Sequence, residues 1–289
     1  MPTLRYTYAL RIFYFLLITF AALMVAAVAM TVIMGGGMST MTLRLATVAQ
    51  DVLLFIAPAI VTACVVSPLP ARLLCIDRVP DVKSVLVAVA ALAFAMPAMN
   101  VLVEWNESMT LPESLAGVEA WMRQTETAAQ EQVALMLGGT SVADLMVSML
   151  IIAVLAGVSE ELFFRGAMQR LFMSGRMNHH TAIWLTAFLF SLFHMQFFGF
   201  FPRLMLGAFF GYLLYWSGSV WLPALIHVVN NASVVHVMWK SQASPDSGAD
   251  VINTLGIDSA WMVVASIVLT AAAIYLLKNI SENRNSVTC

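Results

Sequence analysis

Residues 143–173 read ADLMVSMLIIAVLAGVSEELFFRGAMQRLFM, an apolar run long enough to cross a bilayer that still carries two adjacent glutamates and an arginine. About 20 apolar residues span roughly 30 Å of hydrocarbon. A charge at mid-bilayer costs at least about 2.5–3.5 kcal/mol on insertion scales, so ionisable groups there face protein and usually serve a function. The stretch therefore predicts a membrane helix whose Glu160, Glu161 and Arg165 turn toward neighbouring helices.

The rest of the chain agrees with a lipid solvent. Hydrophobic residues make up 61% of 289 positions and charged residues 10%, with a mean hydropathy of +0.87. Soluble domains carry about 25% charged residues, and so few charges could not cover a water-facing surface. Eight stretches are apolar enough to span: 12–34, 52–68, 84–103, 143–173, 181–200, 203–217, 219–238 and 259–278. The expectation is an all-α polytopic bundle of about eight spans in the cell membrane, a single integral membrane domain over 1–289. The run from Ile12 to Met34 exceeds the 7–15 residues of a signal-peptide core, so it reads as a retained first span.

Lysine and arginine counts set the orientation. With the N-terminus inside, Arg5, Arg11, Arg72, Arg78, Lys83, Arg170, Arg176, Lys278 and Arg284 lie inside, against Arg44, Arg123, Arg203 and Lys240 outside. Both termini are thus expected in the cytoplasm. The long loop 104–142 then faces outside and is acidic, with Glu104, Glu107, Glu113, Glu119, Glu126 and Glu131 against Arg123 alone. Pro112 and the spacing of Leu115, Val118 and Met122 suggest an amphipathic helix within it, either a solvated cap or a lid. Cys64, Cys75 and Cys289 have no metal-ligand spacing and read as reduced residues.

Two other apolar stretches carry costly polar groups: His194 in one, and His227 with Asn231 in another. At 1.5 Å per residue, Glu160 and His194 each lie roughly 21 Å above the cytoplasmic end of their helices. His227 and Asn231 fall at roughly 14 and 20 Å on theirs. Three helices thus place polar groups in one layer. His227 and Asn231, four apart, share a face, and Glu161 and Arg165 can pair in the same way. Glu160 points about 100° away from Glu161 and is left for other helices.

In chain order, Glu160-Glu161-Leu-Phe-Phe-Arg165 fits Glu-Glu-x-x-x-Arg, Phe190-Ser-Leu-Phe-His194 fits Phe-x-x-x-His, and His227-Val-Val-Asn-Asn231 fits His-x-x-x-Asn. Together they resemble the CPBP intramembrane proteases, which include the type II CAAX prenyl endopeptidases and bacterial Abi-type proteins. The resemblance covers a catalytic core of about 143–238. It implies that Glu160 activates water with His194, that His227 and Asn231 stabilise the oxyanion, and that Glu161 and Arg165 support them. It implies peptide hydrolysis without a cofactor, on a peptide or membrane-protein substrate and with no nucleic-acid partner. A zinc site formed by Glu160, His194 and His227 is the alternative mechanism. A non-catalytic scaffold or immunity protein, or a proton-coupled transporter, is the alternative function.

Other polar residues have plainer readings. Asn230 reads as interhelical glue and His236 as a boundary residue. His179 and His180 are expected in a solvated cytoplasmic turn. Asp51 and Asp144 read as helix N-terminal residues, and Arg203 as an interfacial anchor.

Overall fold

The computed structural model describes residues 4–243 and 260–287, and its described residues form helices without strands. Cys289 lies outside the described residues, as does the side chain of Arg284. Nine principal helices follow in order: α1 Tyr8–Met34, α2 Thr40–Val66, α3 Val82–Glu107, α4 Ala116–Leu137, α5 Val142–Met173, α6 His179–Phe193, α7 Phe200–Ser217, α8 Trp221–Ala243 and α9 Ala260–Val287. Seven segments are long and apolar enough to cross a membrane. They correspond to α1, α2, α3, α5, α7 with the turn before it, α8 and α9. The chain is a multi-pass membrane protein.

The expected span 181–200 is the exception. Its helix, α6, has 15 residues and stops at Phe193. That is a rise of about 22 Å, short of the roughly 30 Å hydrocarbon layer. His194 is therefore the C-cap of α6 and not an interior residue. Met195 follows with φ 55°, and Phe197–Gly199 form a 3-10 turn that leads into α7.

Helices near the site pack closely because small residues let backbones meet. A Cβ on Gly157 of α5 would stand 3.2 Å from the Val228 backbone nitrogen and 3.1 Å from Val228 Cγ2. That contact brings α5 against α8 beside His227. On α7, Gly207 and Gly211 sit one turn apart, and their carbonyls accept from Arg165 Nη2 and Gln169 Nε2, each at 3.0 Å. Small residues four apart with polar cross-links are a common way to join helices in lipid. Gly157→Leu is expected to overpack the α5–α8 contact, destabilising the protein by about 1–3 kcal/mol. Unfolding in a graded denaturing detergent would read this, and an unchanged midpoint would count against the contact.

An aromatic core lies behind the polar layer. Phe163 meets Phe15 of α1 and Phe55 of α2 at 5.4 and 5.7 Å, while Phe164 meets Phe190 of α6 edge-on at 5.1 Å. In α3, Pro97 removes a backbone donor. Ser266 of α9 serves the neighbouring rung, accepting from the Ala98 N–H and donating to the Phe94 carbonyl.

The acidic loop contains the expected helix, α4. Its C-terminal carbonyls at Met136 and Leu137 accept from Arg44 of α2 at 2.9 and 3.0 Å, and Arg44 also meets Asp144 at 3.4 Å. Asp144 lies in the first turn of α5, as expected, with Ser141 as the N-cap. His180 is exposed and His179 half-exposed, as expected, but they open α6 and do not lie in a turn. His179 stacks on Tyr215 at 4.3 Å, and His180 Nδ1 lies 2.7 Å from the Tyr212 hydroxyl, so both help dock α6 on α7.

Candidate functional site

Helix α5 departs from α-helical geometry on both sides of its glutamates. Residues Met149–Leu155 and Leu162–Gln169 are π-helical, and Ala156–Glu161 between them is α-helical. Single π turns inside α-helices are rare and concentrate at functional sites. Widening the turn shifts the backbone pairing and leaves carbonyls open to outside donors. Ile152 O is one such carbonyl, and it accepts from Asn231 Nδ2 at 3.3 Å.

Glu161 and Arg165 are fully buried and paired at 2.7 Å. The arginine lies in an aromatic box, 4.5 Å from the Phe190 ring centroid and 5.4 Å from that of Phe210. An ion in lipid needs such compensation from a counter-charge, a carbonyl and ring faces together. Glu161 Oε1 also accepts from His227 Nδ1 at 2.9 Å. A carboxylate at Nδ1 fixes the tautomer and aims Nε2 elsewhere. Here Nε2 points toward Glu160, 3.7 Å from its Oε2. Phe210 stacks on the His227 ring at 4.8 Å and holds its plane.

Glu160 is placed differently. Its side chain is 13% exposed. Its Oε2 is buried and has no hydrogen-bond partner among the described residues. His194 Nδ1 lies 2.9 Å from the Phe190 carbonyl, which can only accept, so this nitrogen carries the proton and Nε2 is left open. The Phe190 ring stands 4.9 Å from His194 and 5.9 Å from His227. His194 is within electrostatic range of both Glu160 and His227. The structure thus gathers Glu160, Glu161, Arg165, His194 and His227. Asn231 follows His227 by one turn, and its amide meets the Ile152 carbonyl and Asn230.

Several neighbours carry no motif signature. Asn106, at the end of α3 and 2% exposed, clamps the turn after His194. Its Nδ2 donates to the Phe197 carbonyl at 3.2 Å, and its Oδ1 accepts from the Phe201 N–H at 2.9 Å. Irregular backbone at membrane depth survives only where protein satisfies it. Arg203 is not a free interfacial anchor. It donates to Gln196 Oε1 at 2.7 Å and to the Gln196 carbonyl at 3.3 Å, bracing the same loop. Helix α4 touches that turn through Trp121 on Phe197 at 5.5 Å and Arg123 over Phe198 at 4.3 Å. On α4, the Glu119 carboxyl is held below its ordinary pKa by the Leu111 N–H, which precedes the helix, and by the Arg123 side chain. Asn106→Ala is expected to strand both backbone groups of the turn, at about 1–3 kcal/mol. Faster hydrogen exchange at the Phe201 amide would show it, and unchanged protection would refute the clamp.

Among the described residues no group of three or more His, Cys, Asp and Glu side chains is placed to hold a metal ion. His227 Nδ1 meets Glu161, an arrangement that metal-bound and metal-free imidazoles share, and its Nε2 lies 3.7 Å from Glu160 Oε2.

Searches of curated proteins and of solved structures gave no match. Residues 142–233, which hold every one of the motif residues, match the family model described as type II CAAX prenyl endopeptidase Rce1-like. That match covers about a third of the chain and supports the family recognised from the three motifs, and both point to the same residues.

Proposed function

We propose that the protein is an intramembrane endopeptidase in which Glu160 and His194 activate water and His227, with Asn231, stabilises the oxyanion. The observation that carries this reading is the unequal standing of two adjacent glutamates. Glu161 is committed to Arg165 and His227, whereas Glu160 holds a buried, unpartnered carboxyl oxygen in front of His227. An unengaged carboxylate beside two imidazoles is suited to take a proton from water.

The chemistry follows in order. Glu160 removes a proton from water as its oxygen attacks the peptide carbonyl, and the developing oxyanion receives hydrogen bonds. With both ring nitrogens protonated, His227 donates from Nδ1 to the Glu161 carboxylate and from Nε2 to the oxyanion. The Asn231 amide can join by leaving the Ile152 carbonyl, a contact at the long end of hydrogen bonding. Glu160 then returns its proton to the leaving amine. No step runs through a metal.

An apolar cavity of about 330 Å³ borders the His194 loop, lined by Phe188, Leu192, Phe197 and Phe201 with Asn106 and Met122. Its lining suits an apolar segment of the substrate, consistent with a peptide presented at or in the bilayer.

The test is cleavage of a quenched fluorescent peptide library by protein reconstituted in liposomes, with and without a zinc chelator. Cleavage that survives chelation is the expected result. Cleavage abolished by the chelator and restored by zinc would move Glu160, His194 and His227 into ligand roles. A well-folded protein that cleaves nothing would favour the scaffold reading.

A further inference from the structure

One buried acid has no part in the chemistry above. Asp51 does not cap a helix. Helix α2 begins at Thr40, and Ser39 is its N-cap, accepting from the Thr42 N–H. Asp51 instead opens a π turn in the middle of α2, Asp51–Ile56, and is 1% exposed. Its Oδ2 is buried without a hydrogen-bond partner among the described residues. A π turn re-aims side chains by inserting a residue into the helical register, and this one packs against Ala156–Glu161 of α5. The Asp51 side chain meets Ser159 and has Glu160 as its charged neighbour.

The cations on the packed helices are engaged elsewhere. Arg44 of α2 serves Met136, Leu137 and Asp144. Arg165 of α5 serves Glu161 and Gly207. Arg11 of α1 reaches the Thr7 and Ser174 carbonyls. Two carboxyl groups side by side in a dry site cannot both be ionised, so one proton is held between them. Glu160 has the His227 and His194 imidazoles on its other side and is half-buried, whereas Asp51 is buried. The proton therefore belongs on Asp51.

The geometry points to Asp51 as a positioning residue that, as a neutral acid, donates a hydrogen bond to the Glu160 carboxylate and holds it facing His227. Asp51 keeps its proton throughout. The proton taken from water goes to Glu160 and leaves with the amine product, so the balance of the reaction is unchanged. This inference rests on the hydrolase reading of Glu160.

The experiment compares wild type, Asp51→Leu, Asp51→Asn and Glu160→Gln for kcat, KM and melting temperature on a library peptide. Losing the donor lets the carboxylate turn, and Asp51→Leu is expected to lower kcat at least about tenfold with KM unchanged. Asp51→Asn retains a donor of the same shape and is expected to recover to within about threefold of wild type, the loss of an imperfect hydrogen bond. Equal damage in the Asn and Leu variants, or full activity in Asp51→Leu while Glu160→Gln is inactive, would overturn the inference and leave the hydrolase reading standing. Full activity in Glu160→Gln would overturn both. A readout free of turnover covers the case in which Asp51→Leu does not fold. The infrared band of a buried protonated carboxyl is expected in wild type and missing in Asp51→Asn, and its absence from wild type would refute the inference.

Discussion

Glu160→Gln is expected to lower kcat by about 10²–10⁴-fold, the contribution of a positioned general base. KM and melting temperature are expected to stay close to wild type. The reason lies in what this glutamate leaves unused. Its Oε2 has no hydrogen-bond partner among the described residues and lies 3.7 Å from His227 Nε2. Little of the fold depends on its charge, and glutamine has the same size. Kinetics on reconstituted protein, with a melting curve on the same preparation, would check both halves. Activity within about tenfold of wild type would remove Glu160 from the role of base. A collapse of the melting temperature would instead make it a structural acid like its neighbour.

The contrast between Glu160 and Glu161 was legible in the sequence, and its cause is simple. Adjacent positions on a helix diverge by about 100°, while positions four apart align, so Arg165 could pair with Glu161 and leave Glu160 turned away. The apolar runs were legible for the same reason, since lipid demands length and composition and little else. The contact of His227 with Glu161 was not foreseen. A depth estimate sets height in the membrane, yet which face of α8 meets α5 is fixed by the close approach at Gly157, which no single-sequence pattern marks.

Three further features escaped for a shared physical reason. The three π turns in α2 and α5 change which way residues point, and none of them has a side-chain signature. An ideal helix drawn through Asp51 gives no reason to aim it at Glu160. The end of α6 at His194 was hidden because Met195 to Phe201 remain apolar, which reads as more span. The backbone there turns because Asn106 and Arg203, distant in sequence, satisfy its polar groups. Tertiary partners made that break possible, and local sequence does not record them.

Glu161→Ala is expected to destabilise the protein by about 3–5 kcal/mol, the cost of leaving a buried partner charge uncompensated. Arg165 has no exposed surface through which to reach water, and the Gly207 carbonyl and aromatic rings would be all that remained around it. Activity is expected to fall as well, because His227 would lose the carboxylate that fixes its Nδ1 proton. These two effects can be separated. In the double variant Glu161→Leu/Arg165→Met no buried charge is left, and apolar replacement of a whole ion pair is often neutral for stability. Stability is therefore expected to return toward wild type in the double variant, while kcat stays depressed because the imidazole remains unoriented. Denaturant midpoints for Glu161→Leu, Arg165→Met and the double variant give the coupling directly. Additive losses across the cycle would show that the pair does not act as a unit. Full activity in the double variant would show that Glu161 holds the arginine alone and has no part in orienting His227.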